Sequence, residues 1–143
     1  MRVAIAGGGW YGCHIASSLK AHDLDVRLLE KNDHLFSEAS GNNQFRLHQG
    51  LHYARSAQTR YQSRDGYHRF VERYPRLSRG VESNIYLVPK GTSLVDFDTY
   101  FSIMLSSGIA IEKVPLVRIP GIAAQHCEGA IRCEERVVLT DKS

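Results

Sequence analysis

Apolar positions along the chain fall into short runs whose period changes from one run to the next. "RVAIA", Arg2 to Ala6, is an apolar run of strand length, and Trp10 to His22 after it carries Ile15, Ala16 and Leu19 at helical spacing. This pattern predicts a short buried strand, then an amphipathic helix with those three residues on its inner face. "DVRLLEK", Asp25 to Lys31, predicts a second strand. Two such strands joined through a helix make a βαβ unit, whose crossover makes the strands parallel and covers the sheet. The polar stretch "NDHLFSEASGNNQFRLHQGLHYARS" then reads as loop, with one helical turn at Leu35 to Glu38.

A long helix is expected from Ser56 to Tyr74, ended by Pro75. Tyr67, Phe70, Val71 and Tyr74 form its apolar face, while Arg60, Arg64, Arg69, Arg73 and Arg76 lie on a solvated or domain-facing side. "NIYLVPK" predicts a strand, and "DFDTYFSIMLSS" a helix that starts from Thr92 or Ser93 and stops at Gly108. "IAIEKV" and "AIRCEERVVL" predict further strands. No repeat, low-complexity tract or flexible linker interrupts the sequence.

Composition narrows the class without choosing a function. With 43% hydrophobic and 23% charged residues among 143, the chain is in the globular range and has enough residues for one core. No apolar run approaches the roughly 18 residues of a membrane span, and the start lacks a secretory pattern, so the expected location is cytoplasmic, away from any membrane. Cys13, Cys127 and Cys133 have neither zinc nor redox spacing and are expected to be reduced, packed thiols. His22, His34, His68 and His126 are scattered without ligand spacing, so no metal site is expected. The net charge of +3 conceals a basic segment, Arg46 to Arg79, with eight arginines against Asp65 and Glu72. Because these arginines recur along one helix, the charge is assigned to a helix surface and not to nucleic-acid binding.

The glycines carry the sharpest signal. Gly7, Gly9 and Gly12 fit G-x-G-x-x-G directly after a strand and at the opening of a helix, the context of a dinucleotide fingerprint. Gly7 would make the tight turn, Gly9 would admit a pyrophosphate and Gly12 would allow close helix–strand packing, while Gly8 reads as free to vary. A diphosphate is expected at the helix N-terminus beside Trp10 and Tyr11. Glu30 ends the second strand eighteen residues after Gly12, where an acid binds ribose hydroxyls and disfavours a 2′-phosphate; Lys31 follows it as another cofactor-binding candidate. The fingerprint leaves NAD and FAD open. There is no G-x-S-x-G elbow, P-loop or zinc signature to support a hydrolase or NTPase.

"VAIAGGGWYGCHIASSL", the strand ending at Glu30 and "EASGNNQFRLHQGLHY" together resemble FAD-dependent oxidoreductases of the D-amino-acid oxidase and glycine oxidase type. The resemblance is good over roughly the first sixty residues and topological beyond them. It implies FAD as cofactor and an α/β fold: a Rossmann-like FAD-binding βαβ domain (1–79) with the start of a mixed-sheet substrate domain (80–143). It also implies that Ala39, Ser40, Gly41, Asn42, Asn43 and Gln44 line the cofactor. The activity implied is hydride transfer from a C–H bond beside an amine or alcohol of a small-molecule substrate to flavin.

"RLHQGLHY" concentrates Arg46, His48, His52 and Tyr53. Arg46, His52 and Tyr53 are the catalytic candidates, and His48 is a cofactor-binding one; a cation at Arg46 or His48 would stabilise anionic reduced flavin, and His52 titrates near neutrality. Proteins of that type are much longer, so the chain is expected to be a fragment, a truncation or one component of an assembly. The remainder of the same protein or another subunit would then be its partner, with self-association possible through an open sheet edge. The alternatives are an NAD-dependent dehydrogenase and a non-catalytic dinucleotide-binding subunit.

Overall fold

In the computed structural model, which describes residues 1–139, the apolar alternation at the start of the chain produces a parallel strand pair. Strand β1 (Arg2–Ala6) and strand β2 (Asp25–Leu29) run side by side with Val3 opposite Val26 and Ile5 opposite Leu28, and helix α1 (Trp10–Lys20) provides the crossover. Those four apolar residues are half-buried and their neighbours in each strand are exposed. The expected buried strand is thus covered on one face, since one helix covers one side of a two-stranded sheet. On α1, Ala16 and Leu19 are half-buried, whereas Ile15, expected inside, is 45% exposed. The helix stops at Lys20, short of His22, where the chain turns through Asp23 in the left-handed region (φ 58°), a conformation that a short polar side chain tolerates. The helical turn expected at Leu35 to Glu38 is a simple turn. This first compact unit spans Met1–Gln44, and a second begins at Phe45.

The second unit holds helix α2 (Ala57–Arg73), helix α3 (Phe97–Ser106) and two antiparallel sheets. In one sheet, strand β7 (Cys127–Cys133) lies between strand β5 (Asn84–Pro89) and strand β6 (Ile111–Val114), and α3 packs on β7. In the other, strand β8 (Arg136–Val138) lies between strand β3 (Arg46–Leu47) and strand β4 (Ser78–Gly80). Leu51, Val88, Tyr100, Met104, Ile109, Ile131 and Cys133 form the core. Burying each large aliphatic side chain there contributes about 1.5–3 kcal/mol.

Two expectations change in this unit and a third is narrowed. "AIRCEERVVL" is two strands in different sheets: the ladder breaks at Glu134 and Glu135, where the Gln49 side-chain amide takes the Glu134 carbonyl and Val81 N–H donates to the Glu135 carbonyl at 2.9 Å. Helix α3 starts behind Asp96, whose Oδ1 accepts from Thr99 N–H at 2.9 Å; Ser93 closes a local turn with Val95 instead. Of the solvated and domain-facing alternatives for the arginines, Arg60 and Arg64 take the domain-facing one. Arg60 is buried and donates to Ser107 Oγ at 2.5 Å, and Arg64 donates to the Ser107 carbonyl, so both cations meet the C-terminal end of α3. The apolar face of α2 is as expected, with Tyr67 buried and Phe70, Val71 and Tyr74 half-buried.

The division expected between residues 79 and 80 concerns domains of the whole protein and stays a proposal; residues 140–143 of the second expected domain lie outside the described residues. Among the described residues no helix is long and apolar enough to cross a membrane.

Candidate functional site

The first unit builds its site at the start of α1. Gly7 turns the chain at φ 102°, which L side chains avoid, and its N–H donates to the Leu29 carbonyl at 2.7 Å. A Cβ on Gly12 would stand 1.9 Å from the Gly7 carbonyl oxygen, so helix and turn meet only without a side chain. Helix α1 begins behind Gly9 with no side-chain cap and no acid in its first turn. Its leading N–H groups have no intrahelical acceptor and form a positive end. Ser40 Oγ accepts from Trp10 N–H at 3.0 Å and lies 3.2 Å from where a Gly9 Cβ would sit. This is a narrow, glycine-walled cradle of N–H donors, the shape and charge that a diphosphate requires.

Glu30 lies beside that turn. Its carboxylate accepts from Asn32 N–H at 3.0 Å and from Gly8 N–H at 2.5 Å, and these bonds, the Asn32 bond foremost, hold its carboxyl below the usual carboxylate range. Gly8, read as free to vary, is buried, and a Cβ there would be 2.6 Å from Leu35 Cδ2 and 2.9 Å from Glu30 Oε2, two flexible side-chain ends that would have to shift.

The other candidates of this unit lie around the loop that follows. Lys31 Nζ pairs with Glu38 at 2.9 Å. The Asn42 side-chain amide donates to the Ser37 and Glu38 carbonyls at 2.9 and 3.0 Å, and the Asn43 amide donates to the Ala39 carbonyl at 2.9 Å, so both shape the loop. Tyr11 and Gln44 are exposed. The structure thus gathers Gly7, Gly9, Trp10, Gly12, Glu30 and Ser40 around one turn, with Lys31, Asn42 and Asn43 engaged in the neighbouring loop.

The second unit gathers a polar cluster around Glu135, which is fully buried. Its carboxylate accepts from Arg46 Nη2 at 2.9 Å, from Asn84 Nδ2 at 3.1 Å and from the Tyr86 hydroxyl at 3.2 Å, and stands 3.3 Å from His48 Nδ1. The Tyr86 hydroxyl also stands 3.1 Å from His52 Nε2. The His48 and His52 rings meet edge to face at 4.9 Å, and those of His52 and Tyr86 at 5.0 Å. Burial, and then the charge of His48, lower the pKa of His52. Burial, and then Glu135, push the Tyr86 phenol well up, while burial raises the Cys133 thiol to about 11 and leaves it inert. Arg46 Nε is buried with no hydrogen-bond partner.

Beside this cluster is a cavity of about 420 Å³, lined by Leu51, His52, Tyr86, Val88 and Tyr100 among others. Tyr53 and Arg55 also line it. Arg46 and His48 therefore meet at one carboxylate and His52 reaches it through the Tyr86 hydroxyl, whereas Tyr53 faces the cavity and is 42% exposed. Sequence reasoning missed Glu135, Tyr86 and Asn84. A signal was present: Ile131, Cys133 and Glu135 alternate on one buried side, so the acid continues an inward-facing row.

A glycine-walled helix start, an acid at the end of the second strand and a crossover helix define a dinucleotide-binding βαβ unit. The family model described as "FAD dependent oxidoreductase" matches residues 2–109, and the chain belongs to that family, which includes D-amino-acid oxidase and glycine oxidase relatives. Its fold is accordingly the Rossmann-like FAD-binding βαβ fold with a following mixed-sheet domain, and its cofactor is FAD.

The chain is 53% identical over 142 residues to "FAD-dependent monooxygenase FPY4" of Fusarium mangiferae, covering 99% of this chain and 37% of that relative. It is 46% identical over 86 residues to "FAD-dependent monooxygenase kojA" of Aspergillus flavus, covering 60% of this chain and 20% of the relative. The same figures hold for "Probable FAD-dependent monooxygenase kojA" of Aspergillus oryzae. The chain thus spans 37% and 20% of the length of these curated relatives.

Proposed function

We propose that this chain forms the FAD-binding portion, and the start of the substrate-handling portion, of an oxidoreductase acting on a small substrate with a C–H bond beside an amine or hydroxyl. FAD, when bound, supplies the electron chemistry by accepting a hydride. The carrying observation is the cradle of Gly7, Gly9 and Gly12 at the start of α1, whose N-cap Gly9 offers no side chain, with the Glu30 carboxylate at its edge.

In this reading, the leading N–H groups of α1 bind the diphosphate and Glu30 binds ribose hydroxyls, exchanging its bond to Gly8 N–H for them. Ser40 orients the helix start. Asn42, Asn43, Gln44, Trp10, Tyr11 and Lys31 remain cofactor-side candidates. Arg46 and His48 counter negative charge on the cofactor or substrate; the support for Arg46 is its buried Nε, a donor with no acceptor in the structure. His52 and Tyr53 handle the substrate from the cavity they line. The rest of the protein, or another subunit, would complete the enzyme.

Absorbance of the purified chain titrated with FAD tests the reading. A bound-flavin band is expected, and it should be lost in Gly9→Val, whose side chain would press on Ser40 Oγ, and weakened in Glu30→Ala. Retention of full FAD affinity in both variants would overturn it.

A second reading is suggested by the monooxygenase relatives: the enzyme would insert one oxygen atom of O₂ into its substrate, the other leaving as water with two electrons from the reduced flavin. Incorporation of ¹⁸O from ¹⁸O₂ into the product of the complete protein separates this from simple oxidation.

A further inference from the structure

We propose that Tyr86 and Glu135 are positioning residues for His52, holding its ring so that Nδ1 is the proton acceptor for a substrate O–H or N–H in the adjoining cavity. The inference rests on the reading of this unit as the substrate-handling part of a flavoenzyme, but its geometry does not depend on the cofactor.

The protons available to these groups decide the His52 tautomer. The Tyr86 oxygen lies 3.2 Å from both oxygens of the Glu135 carboxylate. A carboxylate paired with a guanidinium only accepts, so the one phenolic proton points to Glu135 and not to the more distant His48 Nδ1 at 3.5 Å, because otherwise lone pairs would face each other beside a fully buried carboxylate. The Tyr86 oxygen is then an acceptor towards His52 Nε2, 3.1 Å away, and the proton between them must come from the imidazole. That fixes the Nε2–H tautomer and leaves Nδ1 with its lone pair, the arrangement in which a neutral imidazole is a base.

Glu135 is held from several sides: Arg46, Asn84 and Tyr86 donate to it, and His48 Nδ1 stands 3.3 Å away. Fully buried and fixed by these partners, it is an anchor for Tyr86 rather than a mobile base. The division of labour resembles a catalytic triad in which a buried acid orients a histidine, with a tyrosine hydroxyl interposed.

In the step itself the substrate X–H bond breaks, an Nδ1–H bond forms, and the electron pair stays on X; no electrons change hands. The imidazolium so formed has the Glu135 carboxylate one hydroxyl away and is opposed by His48 and Arg46, so it is transient and returns its proton. The cavity fits this role: Leu51, Val88 and Tyr100 would take the apolar body of a small substrate, and His52 is one of the residues that line it.

The test is ¹⁵N NMR of ring-labelled histidine in the 143-residue chain, with FAD affinity measured by absorbance on the same sample. The expected result is His52 as the Nε2–H tautomer, with an Nε2–H signal that exchanges slowly enough to be seen and is lost in Tyr86→Phe while far-UV circular dichroism is unchanged. Finding His52 as the Nδ1–H tautomer in the unaltered chain overturns the proposal, as does an Nε2–H signal that survives in Tyr86→Phe. FAD binding with the wrong tautomer sinks this inference alone. The expected tautomer without FAD affinity sinks the flavoenzyme reading alone.

Discussion

Replacing Arg60 by Ala is expected to destabilise the second unit by about 3–4 kcal/mol, because its guanidinium joins three segments from a buried position. Its Nε donates to Ser107 Oγ at 2.5 Å, and its Nη1 donates to the Tyr53 and Ala54 carbonyls at 2.8 and 3.0 Å. Each hydrogen bond to a charged group is worth roughly 1.5–3 kcal/mol, and the simple sum exceeds the expected loss because removing the cation also relieves its desolvation. A domain holds only about 5–15 kcal/mol in all. With a urea slope of about 1–3 kcal/mol/M, the unfolding midpoint should fall by about 1–4 M.

Arg60→Lys should lie between, since one ammonium cannot span a hydroxyl and two carbonyls as a planar fork does. Arg69→Ala on the exposed side of α2 is the control and should stay within about 0.5 kcal/mol. The assay is urea unfolding followed by tyrosine fluorescence, since Tyr53, Tyr61, Tyr67, Tyr74, Tyr86 and Tyr100 all lie in this unit. Arg60→Ala and Arg69→Ala unfolding at the same midpoint would refute the reasoning, which gives the guanidinium a structural role that a surface arginine lacks.

Gly12→Ala should weaken FAD binding by at least about tenfold, read by absorbance titration, because the new methyl would start 1.9 Å from the Gly7 carbonyl oxygen and must push the turn open. Tyr100→Phe removes a hydroxyl that donates to the Leu51 carbonyl at 3.0 Å inside the core; a loss of about 1–2 kcal/mol is expected, seen as a thermal midpoint lower by roughly 4–8 °C per kcal/mol, and an unchanged midpoint would count against it. Stability should also fall with pH just below the ordinary His52 value of 6.5: its native pKa is lowered by burial and then by His48, so the unfolded chain takes up the proton first. The loss continues until the native His52 itself protonates. Glu135, Arg46 and Tyr86 face the same ring and stay in place in His52→Gln, so urea midpoints between about pH 7.5 and 5.5 should show a flatter slope in that variant. An unchanged slope would remove His52 as the cause.

The first unit was largely legible because its signals are local. Gly7, Gly9 and Gly12 stand five residues apart at most, and each answers a backbone requirement within one turn. Strand β1, helix α1 and strand β2 each follow from a run of period two or 3.6, and the prediction failed only at ends and coverage: Lys20 in place of His22, and Ile15 left 45% exposed. The crowding at Gly8 was not legible because it comes from Leu35 and from the far end of Glu30, twenty-two residues away. The side that Arg60 takes was left open for a similar reason. An arginine on a helix reads as solvated unless the C-terminus of another helix is known to lie against it, and Ser107 is forty-seven residues away.

The Glu135 cluster carries this argument to its limit. Arg46, His48 and His52 attracted notice as neighbours in sequence, yet what unites them is an acid 89 residues from Arg46 and a tyrosine from a strand between them. Composition and local pattern offered no reason to link "RLHQGLHY" with "CEERVV", and reading the latter as a continuous strand treated Glu135 as one more alternating residue. The break between β7 and β8 is what makes the site: it lets one chain leave the β5–β7–β6 sheet and enter the β3–β8–β4 sheet with Glu135 at the crossing. There the acid meets Arg46 and His48 from β3 and its continuation, and Asn84 and Tyr86 from β5. A buried carboxylate with this many donors is costly to assemble and destabilising if any partner is lost. Its place beside a cavity wall, rather than deep in the Met104–Ile131 core, is the reason to seek a chemical role for it through Tyr86 and His52.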